Sequence, residues 1–399
     1  MIKPQTLKGF RDFLPAEAIK RQFVIGKIKE VFERFGFDPL ETPALEYAET
    51  LLGKYGDEAD KLLYLFEDNG GRKVGLRYDQ TVPLSRVIAQ YPDLPKPFKR
   101  YQIQPVWRAE NTQKGRYREF LQCDIDIVGT KAPLADAEIL ALVYDVYKNL
   151  GLDIIIKIND RALLAQISSK ALTILDKLDK IGEEGVIKEL QQKGLPKDLL
   201  QQAKAFKTSI ELSKIRDTYF EMGYPENSIE FEPTLVRGLD YYTGMIMEVV
   251  LKSNTRTSSL GGGGRYDGLI NQFIGKDVPA VGFAFGFDRL IEAMEQFSLL
   301  PAAPTTTQIL VTVFSNEVLR DALTITSTLR NNGINAEVFL GETKLDKQLK
   351  YADRKGIPYV IIQGPDEAKR NIVKLKTMQT KEQEELTVDQ LIEKLIKDS

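Results

Sequence analysis

The stretch WRAENTQKGRYREFLQCDIDIV, from Trp107 to Val128, joins an arginine-rich polar segment to a run in which apolar and polar residues alternate. Upstream of it, the short apolar runs LLYLF (62–66) and VGLRY (74–78) are separated by polar turns. Short apolar runs bounded by turn residues are typical of β-strands paired as hairpins. The chain from residue 62 to residue 128 is therefore predicted to form a mostly antiparallel sheet.

Helices are predicted on both sides of this sheet along the chain. Apolar residues recur at helical spacing after Pro15, and a second helical pattern runs from Ala132 to Leu150. From Ala162 to Tyr224, Lys, Gln, Glu and Leu dominate while strand-forming residues become rare. This part is predicted to be a small helical insertion, and strand-forming residues return after it.

The last quarter of the chain is set apart by the segment PAAPTTT, which has the small residues and prolines of a linker. Beyond it, strand-like and helix-like segments alternate, which predicts a compact α/β domain with a partly parallel sheet. We therefore predict a sheet domain formed by residues 1–161 and 225–300, a helical insertion (162–224), a linker (301–307) and a C-terminal α/β domain (308–399).

The charges of the chain nearly cancel. Its 399 residues include 55 Lys and Arg against 57 Asp and Glu, which gives a net charge of −2. This balance argues against a disordered polyelectrolyte and gives no support to charge-driven coating of nucleic acid. No apolar run approaches the roughly 18 residues that span a bilayer, and the first residues lack the apolar core of a signal peptide. With one cysteine, Cys123, no internal disulfide forms. These features predict a cytoplasmic protein that does not associate with membranes.

The sequence contains no histidine. This absence excludes Ser-His-Asp and Cys-His catalysis, zinc bound by histidine, and the side chain most often used as a general acid or base near neutral pH. Any catalysis must come from carboxylates, arginines, lysines, hydroxyls, backbone amides or a hard metal ion. Electrostatic chemistry on phosphates or acyl groups is therefore favoured.

Arginine is concentrated in the stretch quoted above, where Arg108, Arg116 and Arg118 accompany Glu110. If two strands flank a loop here, alternation brings several of these side chains to one face. Arginine binds phosphate with two parallel hydrogen bonds, so one interpretation is a polyphosphate site. The other is a solvated hairpin with cross-strand ion pairs. Arg289, early in a predicted helix, either contacts a phosphate or faces solvent.

Three other segments are candidates for a binding site. LVRGLDYY (235–242) presents Tyr241 and Tyr242, which suit a small polar ring or amine but also fit a strand with one buried tyrosine. GGGGRYDG (261–268) either lets a ligand approach the backbone or forms a mobile loop, and it matches neither the Rossmann nor the P-loop pattern. Asp79 could bind an ammonium group, although an aspartate before a proline turn is common.

Taken in order, these segments resemble the histidyl-tRNA synthetases, a family of class II aminoacyl-tRNA synthetases. The resemblance covers nearly the whole chain and rests on KGFRDFLP (8–15), the Pro43 region as motif 1, WRAENTQKGRYREFLQ as motif 2, FAFGFDRL (283–290) as motif 3, LRYDQTVP (76–83), LVRGLDYY, GGGGRYDGL and KQLKYADRKGIPYVII (347–362). It implies an α+β catalytic domain with a class II antiparallel sheet flanked by helices, a helical insertion and a C-terminal α/β anticodon-binding domain.

The resemblance also implies an ATP site. Arg108 would bind the α-phosphate together with the amino-acid carboxylate, and Phe120 would stack on adenine. Arg289 would bind the γ-phosphate side of the nucleotide. Glu110 and Arg116 occupy motif 2 positions that face the nucleotide. ATP is then a substrate that is accompanied by Mg²⁺, and no dedicated metal ligands are expected in the protein.

For the amino acid, the resemblance implies a site formed by Asp79, Thr81, Arg108, Gln122, Asp126, Arg237, Tyr241 and Tyr242. Arg237 matches the family's catalytic arginine at the α-phosphate, where it acts with Arg108 and Arg289. Asp79, Thr81 and Gln122 would bind the α-amino group. Asp126 and the two tyrosines would read the imidazole, since buried polar groups left unpaired penalise other amino acids.

These implications predict a histidine–tRNA ligase whose partners are ATP, histidine and the histidine tRNA, and which forms a homodimer. The alternative is a non-catalytic relative, either a regulatory subunit of ATP phosphoribosyltransferase or a tRNA-binding sensor. The regulatory relatives lack the anticodon-binding domain, and the sensors lose the ATP and histidine contacts. A class II enzyme for another amino acid is a further option, which the segments LVRGLDYY and GGGGRYDGL disfavour.

Overall fold

The computed structural model describes residues 2–52, 62–111, 117–236, 241–253, 259–341 and 343–397. The chain forms two compact units. The first comprises Met1–Asp12 with Val24–Leu299, and the second comprises Phe13–Phe23 with Leu300–Ser399.

The regular elements of the described residues are numbered here in chain order. The strands are β1 (Asp38–Pro39), β2 (Leu45–Tyr47), β3 (Leu65–Glu67), β4 (Lys73–Leu76), β5 (Phe98–Trp107), β6 (Glu119–Val128), β7 (Ile154–Asp160), β8 (Ile229–Phe231), β9 (Met245–Leu251), β10 (Gly261–Arg265), β11 (Ala280–Phe285), β12 (Ile309–Val311), β13 (Ala336–Val338), β14 (Tyr359–Ile362), β15 (Val373–Thr377) and β16 (Gln383–Leu386). The helices are α1 (Pro15–Arg34), α2 (Ala48–Leu51), α3 (Thr81–Gln90), α4 (Pro133–Asn149), α5 (Arg161–Leu164), α6 (Ser169–Leu175), α7 (Leu178–Gln192), α8 (Leu199–Lys204), α9 (Ile210–Glu221), α10 (Asn271–Ile274), α11 (Phe287–Gln296), α12 (Leu319–Asn331), α13 (Leu345–Lys355), α14 (Pro365–Lys369) and α15 (Val388–Lys397).

The main sheet of the first unit has eight strands in the order β1-β5-β6-β11-β10-β9-β7-β8 within the described residues. Its internal pairs are antiparallel, and only the outer pairs β1–β5 and β7–β8 are parallel. Side chains alternate along β6, so Cys123, Ile125 and Ile127 point to one face and are fully or almost fully buried. Helix α4 covers that face, with Tyr147 packed against Phe285 of β11. The mostly antiparallel sheet predicted from the sequence is confirmed.

The prediction of one continuous sheet over residues 62–128 is wrong. Strands β3 and β4 pair with β2 in a separate three-stranded sheet. The reason is helix α3, which follows β4 and takes the chain away before β5 enters the main sheet. Its buried apolar side chains, such as Val82, Leu84 and Ile88, anchor it in the core.

The glycine run 261–264 is part of a central strand, so a mobile loop is the wrong interpretation there. β10 pairs with β9 on one side and with β11 on the other, and its residues are buried. A Cβ atom on Gly263 would lie 2.0 Å from the carbonyl oxygen of Gly282. Glycine therefore serves close approach between strands at this position.

The helical insertion predicted from composition consists of α5 to α9. Two of these helices begin at serine N-caps, because the hydroxyls of Ser168 and Ser209 accept hydrogen bonds from the backbone amides of Ala171 and Leu212. Buried leucines on α6, α7 and α8 belong to one apolar cluster that also contains Leu84 of α3 and Ile246 of β9. The segment Gly-Leu-Pro at residues 194–196 lies between α7 and α8.

The second unit contains a five-stranded sheet in the order β13-β12-β14-β15-β16. The first three strands are parallel, β15 runs antiparallel to β14, and β16 runs antiparallel to β15, which confirms the partly parallel sheet. Helix α13 buries Gln348 and Ala352, so its remaining polar side chains face outward. In the described part of the chain, no helix has both the length and the hydropathy required to cross a membrane.

Candidate active site

A cavity of about 420 Å³ opens on the face of the main sheet opposite helix α4. Its lining includes Arg108, Glu110, Phe120, Gln122, Glu248 and Arg289. These residues come from the β5–β6 hairpin, from β9 and from the start of α11. Five of them are predicted site residues, and the structure therefore brings together the described part of the predicted ATP site.

Arg108 directly follows strand β5, at the loop end of the β5–β6 hairpin. Its backbone amide donates to the carbonyl oxygen of Arg118, which continues the pairing of the two strands by one step. Its Nε donates to the carbonyl oxygen of Tyr78 at 3.0 Å. The guanidinium lies 5.1 Å from the ring centroid of Phe120. A cation and an aromatic ring are thus fixed next to each other, as a phosphate-and-base site requires.

Arg289 reaches the same cavity from helix α11. Its Nη1 donates to the carbonyl oxygen of Ser259 at 2.8 Å. The preceding Asp288 forms an ion pair with Arg11 at 2.8 Å, which ties the start of this helix to the N-terminal segment. Because the arginine is bound through a backbone carbonyl, its position depends on the fold of the sheet and not on another flexible side chain.

A second group of polar residues is buried next to this cavity, centred on Asp126. One carboxylate oxygen lies 2.6 Å from Nη2 of Arg100, and the other accepts a hydrogen bond from the hydroxyl of Tyr266. Arg100 is 0% exposed and Asp126 is 3% exposed. Burial raises the pKa of Asp126 to about 6, against the opposing effects of Arg100 and Tyr266. The carboxylate is therefore held rigidly and has lost most of its water.

The predicted tyrosines belong to the same group. The hydroxyl of Tyr241 donates to that of Tyr242 at 3.3 Å, and the two ring centroids are 4.5 Å apart. Tyr241 also makes an edge-to-face contact with Tyr266, with centroids 5.8 Å apart. Burial raises the pKa of Tyr241 and of Tyr266 well above the usual value, so both stay protonated donors.

Asp79 and Thr81 lie at the beginning of helix α3. Oδ1 of Asp79 accepts a hydrogen bond from the backbone amide of Val82 at 3.1 Å, and the residue is 7% exposed. Its charge contributes to raising the pKa of Asp126, which places it in the same electrostatic environment. Thr81 is the first residue of the helix.

Two predicted residues, Arg116 and Arg237, lie outside the described residues. Two residues that were not predicted, Tyr266 and Arg100, also belong to the site. Tyr266 lies in GGGGRYDGL, a segment whose sequence signal is its run of glycines. Arg100 could be found only from the register of β5 and β6, which places it directly opposite Asp126.

A largely antiparallel sheet, with a helix on one face and an arginine-lined cavity on the other, is the catalytic fold of the class II aminoacyl-tRNA synthetases. A family model described as histidyl-tRNA synthetase matches residues 9–171 and 157–290, and an anticodon binding domain model matches residues 308–398. The chain belongs to the histidyl-tRNA synthetase family.

Individual relatives agree with this assignment over the whole chain. A histidine–tRNA ligase of Aeropyrum pernix is 41% identical over 406 residues, which cover 94% of this chain and 93% of that protein. One of Cytophaga hutchinsonii is 38% identical over 454 residues, with 99% and 100% covered. The crystal structure of histidyl-tRNA synthetase from Nostoc sp. PCC 7120 is 30% identical, with a TM-score of 0.87 and 100% of both chains covered.

Proposed function

We propose that this chain is a histidine–tRNA ligase, which activates histidine with ATP and transfers it to the 3′ end of the histidine tRNA. The observation that carries the proposal is the position of Gln122. This residue lines the arginine cavity and lies on the same strand face as the buried Asp126. A nucleotide site and a small, rigid polar site are therefore contiguous, as adenylate formation requires.

In the first step, a carboxylate oxygen of histidine attacks the α-phosphorus of ATP. The bond from that phosphorus to the bridging oxygen breaks, and pyrophosphate leaves. Negative charge develops on the phosphoryl oxygens, so the fixed cations of Arg108 and Arg289 stabilise the transition state. We assign the same role to Arg237, which the family resemblance places at the α-phosphate. Phe120, next to Arg108, supplies the apolar surface for adenine.

In the second step, the terminal ribose hydroxyl of the tRNA attacks the acyl carbon of the adenylate, and AMP leaves. Alignment of the two reacting groups supplies most of the acceleration. We assign no general base among the described residues to this step.

The amino-acid side of the site rests on Asp126 and the tyrosines. An imidazole has one ring N–H to donate when neutral, and Asp126 is a rigid acceptor. Tyr241 contacts the ring of Tyr266, whose hydroxyl donates to Asp126, and with Tyr242 it is assigned to the imidazole ring. Asp79, Thr81 and Gln122 are assigned to the α-ammonium group. Amino acids without an imidazole would not supply this additional hydrogen bond to Asp126, and a hydrogen bond to a charged group contributes about 1.5–3 kcal/mol.

Magnesium fits this site as an ion carried by the nucleotide. Glu110 and Glu248 both line the cavity and offer carboxylate oxygens. No group of three or more potential ligands gathers in the described residues. One or two carboxylates combined with phosphate oxygens are what Mg²⁺ usually uses, and the ion would neutralise charge on the phosphates.

The tRNA partner is supported by a basic groove on helix α13 of the anticodon-binding domain. The groove is lined by Lys347, Lys350, Tyr351, Arg354 and Lys355. Within the described residues, no ion pair involves Lys347, Lys350 or Arg354, whereas Lys355 is paired with Glu337. The 14 basic and 14 acidic residues from residue 308 onward cancel, so this face concentrates positive charge. Such a face suits an RNA backbone.

A homodimer is supported by the exposed face of the three-stranded sheet. The register puts Leu45 and Tyr47 of β2 and Phe66 of β3 on one face of this sheet, where they are 45–55% exposed. Large apolar side chains gathered on one small sheet are typical of a subunit interface. Sedimentation of the wild type and of Tyr47→Glu, which puts a charge on that face, tests the proposal. The predicted domain boundaries and the cytoplasmic location stay predictions.

The alternative of a regulatory relative is not favoured. Such relatives lack an anticodon-binding domain, whereas residues 308–398 of this chain match the model of that domain. The arginines expected to be lost in a non-catalytic relative are present in the cavity.

The test is histidine-dependent ATP–pyrophosphate exchange, with the other nineteen amino acids as controls. We expect exchange with histidine alone, and a decrease in kcat of about 10²–10³-fold for Arg237→Ala and for Arg289→Ala. Arg330→Ala is a matched control, because Arg330 also donates to a backbone carbonyl but lies in the second unit. Well-folded protein without exchange for any amino acid would contradict the proposed activity.

A further inference from the structure

Asp124 is a buried carboxylate on the cavity side of strand β6. Because side chains alternate along a strand, it points to the same face as Gln122 and Asp126. It is 3% exposed and lies opposite Ala284 of β11, which itself lines the arginine cavity. Sequence reasoning gave this residue no role of its own.

Asp124 determines the orientation of the Gln122 side chain. Nε2 of Gln122 donates to Oδ2 of Asp124 at 2.9 Å. With its NH2 group bound to Asp124, the amide presents its oxygen to the opposite side. Oε1 of Gln122 and Oδ1 of Asp124 are both buried and accept no hydrogen bond in the described part of the chain. A buried acceptor without a donor costs about 1–3 kcal/mol, so a donor from a ligand is expected here.

The charges around Asp124 are in negative excess. The charged groups that act on it are Arg100, Asp126 and Asp79, one cation and two further carboxylates. Burial and these carboxylates raise the pKa of Asp124 well above the usual value, while Arg100 opposes the rise. A ligand ammonium group would supply both the missing positive charge and several N–H donors.

We propose that Asp124 is a positioning residue of the amino-acid site, which holds the Gln122 amide with its oxygen toward the α-ammonium group of the substrate. The inference rests on the proposed function, and it adds a residue to the site that acts through Gln122. It makes the site selective for an α-amino group as distinct from an imidazole alone. Loss of the carboxylate allows the Gln122 amide to rotate by 180° and to direct its NH2 group toward the α-ammonium group of the substrate.

The test compares two ligands by calorimetry: L-histidine and 3-(imidazol-4-yl)propionate, which keeps the ring and the carboxylate but has no amine. In Asp124→Asn, the new amide can donate to Oε1 of Gln122 and reverse it. We expect the Kd for histidine to rise at least tenfold and the Kd for the propionate to change less than twofold. An equal change for both ligands, or none for histidine, would overturn the inference.

A double-mutant cycle asks whether Asp124 acts through Gln122. Gln122→Met keeps the length of a half-buried side chain and removes the amide. We expect Asp124→Asn to weaken histidine binding less than twofold in that background, and an undiminished tenfold effect would show that Gln122 is not the intermediary. If Asp124→Asn does not fold, Gln122→Met alone provides the test. It must raise the Kd for histidine by a factor at least five times larger than the factor for the propionate, or the inference fails.

Asp136→Asn is the matched control, because Asp136, on helix α4, is a similarly buried aspartate that pairs with Arg265 of β10. We expect it to lower thermal stability without changing the ratio of the two dissociation constants. Wild-type protein that binds neither ligand would sink the proposed function itself. Wild-type protein that binds histidine, with an Asp124→Asn variant that binds it equally well, would sink only the inference.

Discussion

The hydroxyl of Tyr266 donates a hydrogen bond to the carboxylate of Asp126, across 140 residues of sequence. Tyr266 directly follows strand β10, and Asp126 lies in β6, with β11 between the two strands. The bond therefore spans the strand that carries Gly282 and fixes the carboxylate that we assign to the imidazole. Arg100 holds the other oxygen from β5.

Removal of this hydroxyl by Tyr266→Phe should weaken the binding of histidine and leave the binding of ATP unchanged. A hydrogen bond to a charged group contributes about 1.5–3 kcal/mol, so we expect the KM for histidine in pyrophosphate exchange to rise at least tenfold. The KM for ATP should stay within twofold. Tyr101→Phe is the control, since it removes a tyrosine–carboxylate hydrogen bond to Glu33 on the other face of the sheet. A similar histidine KM in both variants would contradict the role of Tyr266.

Gly282→Ala should displace Asp126. A Cβ atom at this position would lie 2.0 Å from Oδ1 of the carboxylate and 2.7 Å from the carbonyl oxygen of Ile125. Both contacts are far shorter than van der Waals distance, so either the carboxylate or the strand must shift. We expect histidine-dependent exchange to fall at least 100-fold, roughly the effect of misplacing a reacting group by 1 Å.

Gly26→Ala is the control for that substitution. Gly26 lies within α1, and a Cβ atom there meets nothing within 4 Å. Alanine in a helix is favoured over glycine by about 1 kcal/mol. This variant should therefore be slightly more stable than the wild type and equally active. Unchanged exchange in Gly282→Ala would mean that the carboxylate position is not critical.

The raised pKa of Asp126 predicts how stability depends on pH. The folded protein holds the proton up to about pH 6, whereas an unfolded aspartate loses it near its ordinary pKa of 3.8. The unfolded state therefore binds fewer protons in this window, and Asp126 destabilises the fold as pH rises from 4 to 7. Asp126→Asn removes this titration but leaves Arg100 without its carboxylate. The cost of the variant should thus be largest near pH 4 and shrink by about 2 kcal/mol by pH 7.

Urea denaturation of the wild type and Asp126→Asn at a series of pH values checks this trend. The difference in the free energy of unfolding is the quantity to plot. A difference that stays constant between pH 4 and pH 7 would show that Asp126 titrates normally in the folded protein.

Charge reversal on helix α13 should affect the tRNA step alone. We expect Lys347→Glu with Lys350→Glu to raise the KM for tRNA in aminoacylation at least tenfold and to leave pyrophosphate exchange unchanged. The slope of log(kcat/KM) against log salt should become shallower by about 1–2, because fewer counterions are released. Lys369→Glu on α14 is the control, an exposed lysine outside the groove. Equal effects of the two changes would place the RNA elsewhere.

Much of the architecture follows from local sequence features. The helices, the insertion and the mixed C-terminal sheet were predicted from periodicity and composition, because those patterns reflect which face of each element is buried. Helix α3 and the separate small sheet were not predicted, since an apolar run of this length is compatible with either a strand or a buried helix. The glycine run 261–264 was wrongly interpreted as a mobile loop for a related reason. Glycine is permissive in loops, and only the neighbouring strands show that it serves close packing here.

For the active site, the sequence by itself determined the residue types. It contains the arginines, the carboxylates and the paired tyrosines, and it rules out imidazole chemistry within the protein. The tertiary structure decided which of them meet. Tyr266 and Arg100 reach Asp126 only through the register of β10, β11, β6 and β5, and Asp124 is significant only because it is buried beside Gln122. Strand register is set by long-range pairing and by burial of one sheet face, so no local pattern in the chain contains it.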